Sequence, residues 1–242
     1  MEAAAELDDF EQQLYGIEGE DTYLIATSEQ TLAAYHYDEI LEPAALPHKY
    51  AGVSTCFRRE AGAHGKDTKG VFRVHEFEKV EQYVFCEPDE SWERFGDLRE
   101  NFESLFRDLG LHYRVVNVCT GDMNDNAAKK FDLEAWFPAQ DRYRELVSCS
   151  NCTDYQARKL NVRIRGEQNR TAHTLNSTAL ATQRAICAIL EQNQREDGTV
   201  EVPEVLVEEG YVDFEVIEGL NRYVEEVDDE DAESGNEDEN DG

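Results

Sequence analysis

Basic residues, long apolar runs and cysteines are all scarce in this sequence, and each shortage excludes something. Lys and Arg together number 23 against 54 Asp and Glu, a formal net charge of −31, and lysine is rarer than arginine. A nucleic-acid-binding surface ordinarily has the opposite sign, because phosphate contacts draw on Lys and Arg. Two readings follow. Either the chain does not bind nucleic acid, or its acids cover a surface that stays soluble at high salt, where screening shortens the range of repulsion to ~3 Å at 1 M. The second reading points to a halophilic source. No apolar run approaches the ~20 residues of a membrane span, and the N-terminus lacks a basic-then-apolar signal. A cytoplasmic chain with no membrane partner is therefore expected. The six cysteines, at 56, 86, 119, 149, 152 and 187, are scattered through apparent strands and helices, which suits reduced thiols better than a disulfide framework. Cys149 and Cys152 form a Cys-x-x-Cys, but no second such pair and no neighbouring His pair completes a four-ligand site, so no zinc is expected. The surroundings of a thioredoxin-type redox pair are missing too. No internal repeat is present. At 242 residues and 40% hydrophobic content, one large mixed domain with a sizeable core is the natural count.

The rest of the chain is organised around residues 56–82. Their flanks alternate with period two over 53–60 and 71–85, and the ten residues between, AGAHGKDTKG, hold three glycines and an Asp. This pattern predicts an antiparallel hairpin with a long loop. Strand side chains alternate faces, so Arg58 and Glu60 share one face of the first strand, and Arg73, Phe77 and Glu81 one face of the second. If those faces coincide, one sheet surface presents two arginines, two carboxylates and a ring. A solvated face is the alternative.

Upstream, residues 23–26 read as a short buried strand. Thr27-Ser28-Glu29-Gln30 opens a helix to about residue 41, stopped by Pro43; Thr27 and Gln30 fit a capping box, which leaves Glu29 free to enter a pocket. Downstream, Trp92, Phe95, Leu98, Phe102, Leu105, Phe106 and Leu109 recur at spacings of three and four. This predicts an amphipathic helix over 91–109 with an aromatic core stripe. Residues 113–119 read as a strand, followed by a Gly-Asp-Met-Asn-Asp loop and a short helix. In the segment Tyr143-Arg-Glu145-Leu146-Val147-Ser148, Glu145 and Ser148 differ in strand parity. Both reach one site only if a bulge or the strand's end lies between them. Residues 173–191 read as a short strand running into a helix. Asn176 and Thr178 share a strand face, and Arg184 lies in the helix, where taken alone it reads as a surface arginine. After about Pro203 the pattern weakens. Residues 225–242 are nearly all Asp, Glu, Gly, Asn and Ser, a composition that cannot bury enough apolar surface to order itself. Periodicity by itself gives a mixed α/β domain.

Long ordered stretches of these residues resemble the class II aminoacyl-tRNA synthetases in their seryl form. Phe57, Arg58, Glu60, Ala61 and Gly62, then Gly65, Lys66 and Asp67, then Arg73, Val74, His75, Phe77, Lys79, Val80 and Glu81 follow motif 2. Thr27 and Glu29 match the family's Thr-x-Glu loop. Gly121, Asp122 and Lys130 fit a further pattern, as do Asp132-x-Glu-x-Trp136-x-Pro138 and Tyr143-x-Glu145-x-x-Ser148-Cys-Ser-Asn with the later Gln-Ala-Arg158. The run over 173–191 resembles motif 3, with Arg184 as its arginine. The resemblance implies an α/β fold, a central antiparallel sheet flanked by helices. It divides the chain into a lead-in segment (1–22), a catalytic core (23–210) and an acidic tail (211–242). Motif 1, which builds the family's homodimer interface, and the two-helix arm expected to bind tRNA are not recognised.

What the resemblance implies chemically is ATP-dependent activation of L-serine to seryl-adenylate and transfer to tRNA(Ser), with ATP and Mg²⁺ as cofactors. Arg58 and Arg184 are the implied catalytic cations. Thr27, Ser28, Glu29, Arg58, Glu81, Asn176 and Thr178 are the implied serine-binding set. Arg58, Arg59, Glu60, Val74, Phe77, Glu145, Leu146, Val147, Ser148 and Arg184 are the implied ATP-binding set, with Glu145 and Ser148 on the magnesium. Two alternatives stand beside this one: a serine-activating ligase that loads a non-tRNA carrier, and a non-catalytic synthetase fragment.

Overall fold

The computed structural model describes residues 13–60 and 70–219. Its centre is a six-stranded, wholly antiparallel sheet of order β2-β3-β9-β6-β5-β4. These strands are β2 (His48–Phe57), β3 (Glu76–Cys86), β4 (Tyr113–Asn117), β5 (Lys129–Phe137), β6 (Arg142–Thr153) and β9 (His173–Ala181). A small second sheet joins β1 (Ile40–Leu41), β7 (Arg163–Ile164) and β8 (Arg170–Thr171). Five α-helices are described: α1 (Ser28–Ala33), α2 (Ser91–Asp108), α3 (Tyr155–Leu160), α4 (Thr182–Gln192) and α5 (Glu204–Glu208). The expected antiparallel sheet flanked by helices is thus the observed architecture.

The aromatic stripe of α2 performs its expected task. Phe95, Leu98, Phe102 and Phe106, spaced three, four and four, are buried against β3, β6 and β9. One helical face covers one sheet face, as the 3.6 period requires. Trp92 falls off the stripe and is 54% exposed. Gly110, at φ +69, ends the helix, its N–H bonding the Arg107 carbonyl, a conformation natural to glycine. On β3 the alternation divides two cores. Val84 and Cys86 pack with α2, whereas Tyr83 and Phe85 pack with Leu41, Ala157, Leu160 and Ile164. On the latter parity, Phe77, Lys79 and Glu81 precede Tyr83 and Phe85, so the polar end of that sheet face opens where the apolar end closes. Gly52 lets α1 lie close on β2: a Cβ there would meet Ser28 Oγ and Leu32 Cδ1 at 3.0 Å.

Several local expectations are corrected. Residues 23–26 form no strand: Leu24 N–H bonds Tyr15 and Ile25 C=O receives Phe57 N–H, so their backbone groups go to two different partners. The helix opened by Thr27 ends at Ala33, tightens to a 3₁₀ turn over Ala34–His36, and stops before Asp38, which sits at φ +58. The second hairpin strand begins at Glu76 rather than 71. Its last rung is Arg58 N–H to His75 C=O, after which Glu60 turns away at φ +50. The hairpin loop, apart from Gly70, lies outside the described residues. No helix follows Asp122. Turns closed by Asp122 N–H and Ala127 N–H lead directly to Ala128, whose N–H already bonds Asn151. Ordered pairing continues into the segment assigned to the acidic tail, because β11 (Val216–Ile217) pairs with β10 (Val200–Glu201). Residues 220–242 are outside the described set.

Candidate active site

A cleft of about 340 Å³ opens on the polar end of the sheet. Its floor is made of alternate residues of three adjacent strands: Phe77, Lys79 and Glu81 of β3, Asn176 and Thr178 of β9, and Glu145, Ser148 and Ser150 of β6. The parity conflict in β6 is resolved by a bulge. Leu133 pairs with Val147 but Glu134 pairs with Glu145, so Leu146 is the extra residue. The inserted residue turns Glu145 to the same side as Ser148. Thr27, Glu29 and Gln30 from the entry to α1, Arg58 and Glu60 from the end of β2, Phe72 to Val74, and Arg184 from the first turn of α4 make the walls.

One part of the cleft is anionic. Glu81 is 2% exposed; it forms an ion pair with Lys79 and accepts bonds from Thr178 Oγ1 at 3.0 Å and Thr27 Oγ1 at 3.4 Å. Thr27 also caps α1, its Oγ1 accepting from Glu29 N–H at 3.3 Å. The capping and pocket readings therefore hold together, although the cap is not the reciprocal box expected with Gln30, whose Nε2 is buried without a partner. Glu29 lies close by, and burial, then the charge of Glu81, push its pKa up to about 7 against the lowering pull of Lys79, Gln156 and Arg58.

This shift carries a stability prediction. A carboxyl with a pKa of about 7 in the folded chain and about 4.5 unfolded is protonated preferentially in the native state. Its contribution is full below pH 4.5 and lost as pH rises through 7. Glu29→Gln should thus flatten the stability profile over that interval and stabilise the apo protein at pH 8, by on the order of 2 kcal/mol after allowance for partial exposure. Chemical denaturation at fixed salt from pH 5 to 8 measures this; unchanged slopes would overturn it.

The other part is cationic. Arg58 donates through Nε to Ala26 C=O at 3.2 Å and lies 5.3 Å from the Phe77 ring centre. Arg73 pairs with Glu60 at 2.8 Å. Arg184 donates to Glu145 C=O at 2.8 Å and lies over Phe72 at 5.1 Å. Burial lowers the Arg184 pKa; Arg73 and Arg58 lower it further, while Glu145 and Glu60 oppose them. Three guanidiniums gathered in a recess favour an anionic ligand. On β5, paired opposite Ser148, Asp132 is pushed up to about 6, first by burial and then by the charge of Glu145. Its Oδ1 has no hydrogen-bond partner, the nearest cation being Lys130 at 3.5 Å. A patch with Glu145, Ser148 and this carboxyl offers the hard oxygen donors that suit Mg²⁺ shared with phosphates.

Thirteen of the sixteen predicted site residues line this cleft: Thr27, Glu29, Arg58, Glu60, Val74, Phe77, Glu81, Glu145, Leu146, Ser148, Asn176, Thr178 and Arg184. Ser28, Arg59 and Val147 do not. Ser28 Oγ donates to Gly52 C=O, Arg59 has the opposite parity to Arg58 and is exposed, and Val147 is buried in the core. Phe72, Lys79 and Gln183 line the cleft and were not predicted. Lys79 could have been found, because period two places it between Phe77 and Glu81 on one face. Gln183, whose Oε1 accepts from Glu78 N–H, gave no such signal.

The family model for the class II tRNA synthetase core domain (G, H, P, S and T) matches residues 11–193. The chain belongs to the class II tRNA synthetase core family. Within the curated proteins it is 58% identical over 209 residues to a serine–tRNA ligase of Methanospirillum hungatei, covering 85% of this chain and 49% of that protein. It is 61% identical over 202 residues to the serine–tRNA ligase of Archaeoglobus fulgidus, covering 82% and 45%. The chain spans about half the length of the curated relatives it matches. Among solved class II synthetases, it superposes on the seryl-tRNA synthetase of Pyrococcus horikoshii complexed with ATP with a TM-score of 0.87 and 55% identity, over 90% of this chain and 49% of that one. A prolyl-tRNA synthetase of Giardia lamblia, 16% identical with a TM-score of 0.71 over 83% of this chain and 41% of that one, shares the fold.

Proposed function

We propose that this chain carries the adenylation site of a serine–tRNA ligase, joining L-serine to ATP and then passing the seryl group to tRNA(Ser). The observation that carries the reading is the charge pattern of the cleft. Two neighbouring carboxylates, Glu29 and Glu81, stand with the side chains of Asn176 and Thr178, a set suited to an ammonium and a hydroxyl. Three arginines stand in the same recess, suited to a carboxylate and phosphates. Relatives at 56–61% identity named serine–tRNA ligase and the ATP complex of a close structural neighbour point the same way.

Arg58 bridges the serine carboxylate and the α-phosphate. Phe77 and Arg184 hold the adenine between them, with Glu60 and the Val74 backbone at its edge. A carboxylate oxygen of serine attacks the α-phosphorus, the bond to pyrophosphate breaks, and a ribose hydroxyl of tRNA later takes the seryl group from AMP. The first step needs no proton shuttle, so orientation and charge stabilisation carry it; orientation accounts for ~7–11 kcal/mol in well-aligned reactions. Glu145 and Ser148 would hold Mg²⁺, which neutralises phosphate charge when bound. Selection of serine rests on hydrogen bonds to its hydroxyl, since an analogue without that group leaves the site's polar atoms unpaired. The whole enzyme would act in the cytoplasm as a homodimer.

Serine-dependent ATP–pyrophosphate exchange in molar KCl tests the reading, with alanine, threonine and cysteine as controls. Exchange with serine alone is expected; none from a folded chain would overturn it. The acidic composition fits a halophilic setting, and the same preparation provides a further prediction. The melting temperature should rise steeply with KCl and the fold should fail at low salt, where repulsion among 54 acids is least screened. A melting temperature indifferent to salt would remove the halophilic reading.

A further inference from the structure

We propose that Gln156 is a positioning residue for the amino-acid end of the cleft, its buried carboxamide locked by two hydroxyls so that its N–H group aims the Glu29 carboxylate at the substrate ammonium. The inference rests on the reading of Glu29 given above. Gln156 lies in the first turn of α3 and is wholly buried, as are Tyr83 of β3 and Thr174 of β9. Its Oε1 accepts from Tyr83 OH at 2.6 Å and from Thr174 Oγ1 at 2.9 Å, while Nε2 donates to Glu29 Oε1 at 3.1 Å. An amide oxygen has two lone pairs, and both are taken by these hydroxyls. Flipping the amide would set its oxygen against the Glu29 carboxylate, so the three partners fix one orientation.

A glutamine needed only to satisfy Tyr83 and Thr174 would not also have to bond a cleft carboxyl. Gln156 is wholly buried behind the cleft, yet its Nε2 reaches Glu29, which lines it. The charged and titratable groups around Glu29 are Glu81 and Lys79 from β3 and Arg58 after β2, with Tyr83 of β3 and Cys152 of β6 also near. Glu81 raises the Glu29 pKa; Lys79, Gln156 and Arg58 lower it. Of the three lowering partners, Gln156 alone carries no charge, so it favours the ionised carboxyl without repelling a cationic ligand.

The test follows the Glu29 carboxyl by NMR titration of the full chain in molar KCl, labelled with ¹³C-glutamate, and measures kinetic constants for serine and ATP on the same proteins. Wild type should titrate at about 7. In Gln156→Met the Glu29 midpoint should move upward. The KM for serine should rise roughly tenfold or more, as for loss of a hydrogen bond to a charged group, with the defect deepening as pH falls and the KM for ATP unchanged. Tyr83→Phe removes one of the two locking hydroxyls and should give the same changes at smaller amplitude; it carries the test if Gln156→Met does not fold. A Glu29 midpoint unmoved in the folded variant would overturn the inference whatever the cleft binds. A midpoint that moves in a protein whose wild type does not use serine would leave the Gln156 contact standing and remove the substrate reading.

Discussion

Replacing Glu81 with alanine is expected to lower serine-dependent pyrophosphate exchange by roughly two to three orders of magnitude, in line with breaking a buried ion pair. Glu81 is buried and collects three donors on one oxygen, Lys79 Nζ, Thr178 Oγ1 and Thr27 Oγ1. Deleting its carboxylate leaves the Lys79 ammonium, on a side chain 11% exposed, without its counter-charge. That cation would then repel the ammonium that the proposed function places in this part of the cleft. The loss has a partial offset, because Glu81 is one of the charges that raise the Glu29 pKa, and its removal makes Glu29 more readily ionised. Glu81→Gln separates charge from shape: it preserves volume and an acceptor for the threonines, and an intermediate loss is expected. Binding of ATP alone should change little in either variant. Near wild-type exchange in a folded Glu81→Ala protein would remove this residue from the site.

The legible parts of this protein are those in which one local rule suffices. Period two put Phe77 with Glu81 and Asn176 with Thr178 on common strand faces, and it required an irregularity between Glu145 and Ser148, which Leu146 supplies. That these faces belong to one site followed from the family resemblance, and Lys79 and Ser150 complete the floor. The 3.6 period named Phe95, Leu98, Phe102 and Phe106 as core. What remained hidden depends on contacts between distant segments. Phe72 follows a loop, yet it becomes a platform under Arg184 and Arg144, 5.1 Å and 4.3 Å from their guanidinium carbons. Gln156 is visible in the sequence only as part of a motif, and the contacts that single it out come from Tyr83 and Glu29, 73 and 127 residues away. The short α1 was overestimated because helix propensity continues past Ala33, whereas the chain must turn at Asp38 to send β1 alongside β7. Family resemblance placed Ser28, Arg59 and Val147 with their pocket neighbours, and strand parity or, for Ser28, a bond to the Gly52 carbonyl of β2 directs each side chain elsewhere.

Arg184→Ala is expected to cost two to three orders of magnitude in kcat/KM for ATP, and Arg184→Lys about two, because a lysine restores charge but not the flat surface or the fork of donors. The geometry gives each property a separate use. The guanidinium carbon lies over the Phe72 ring at 5.1 Å while Nη1 donates to the Glu145 carbonyl, which fixes this planar group on the bulged strand. An ammonium cannot stack in that manner. It also faces a harsher electrostatic position: burial together with Arg73 and Arg58 already lowers the pKa of an arginine here, and a lysine starts about two units lower, near 10.4. The residual activity of Arg184→Lys should therefore decline as pH rises toward 9, whereas wild type, with its arginine still protonated, should not show that limb. Serine binding measured without ATP should be the same in both proteins. Parallel pH–rate profiles would mean that the charge at position 184 does not act on the reacting phosphates, and the functional weight would then fall on Arg58 and Arg73.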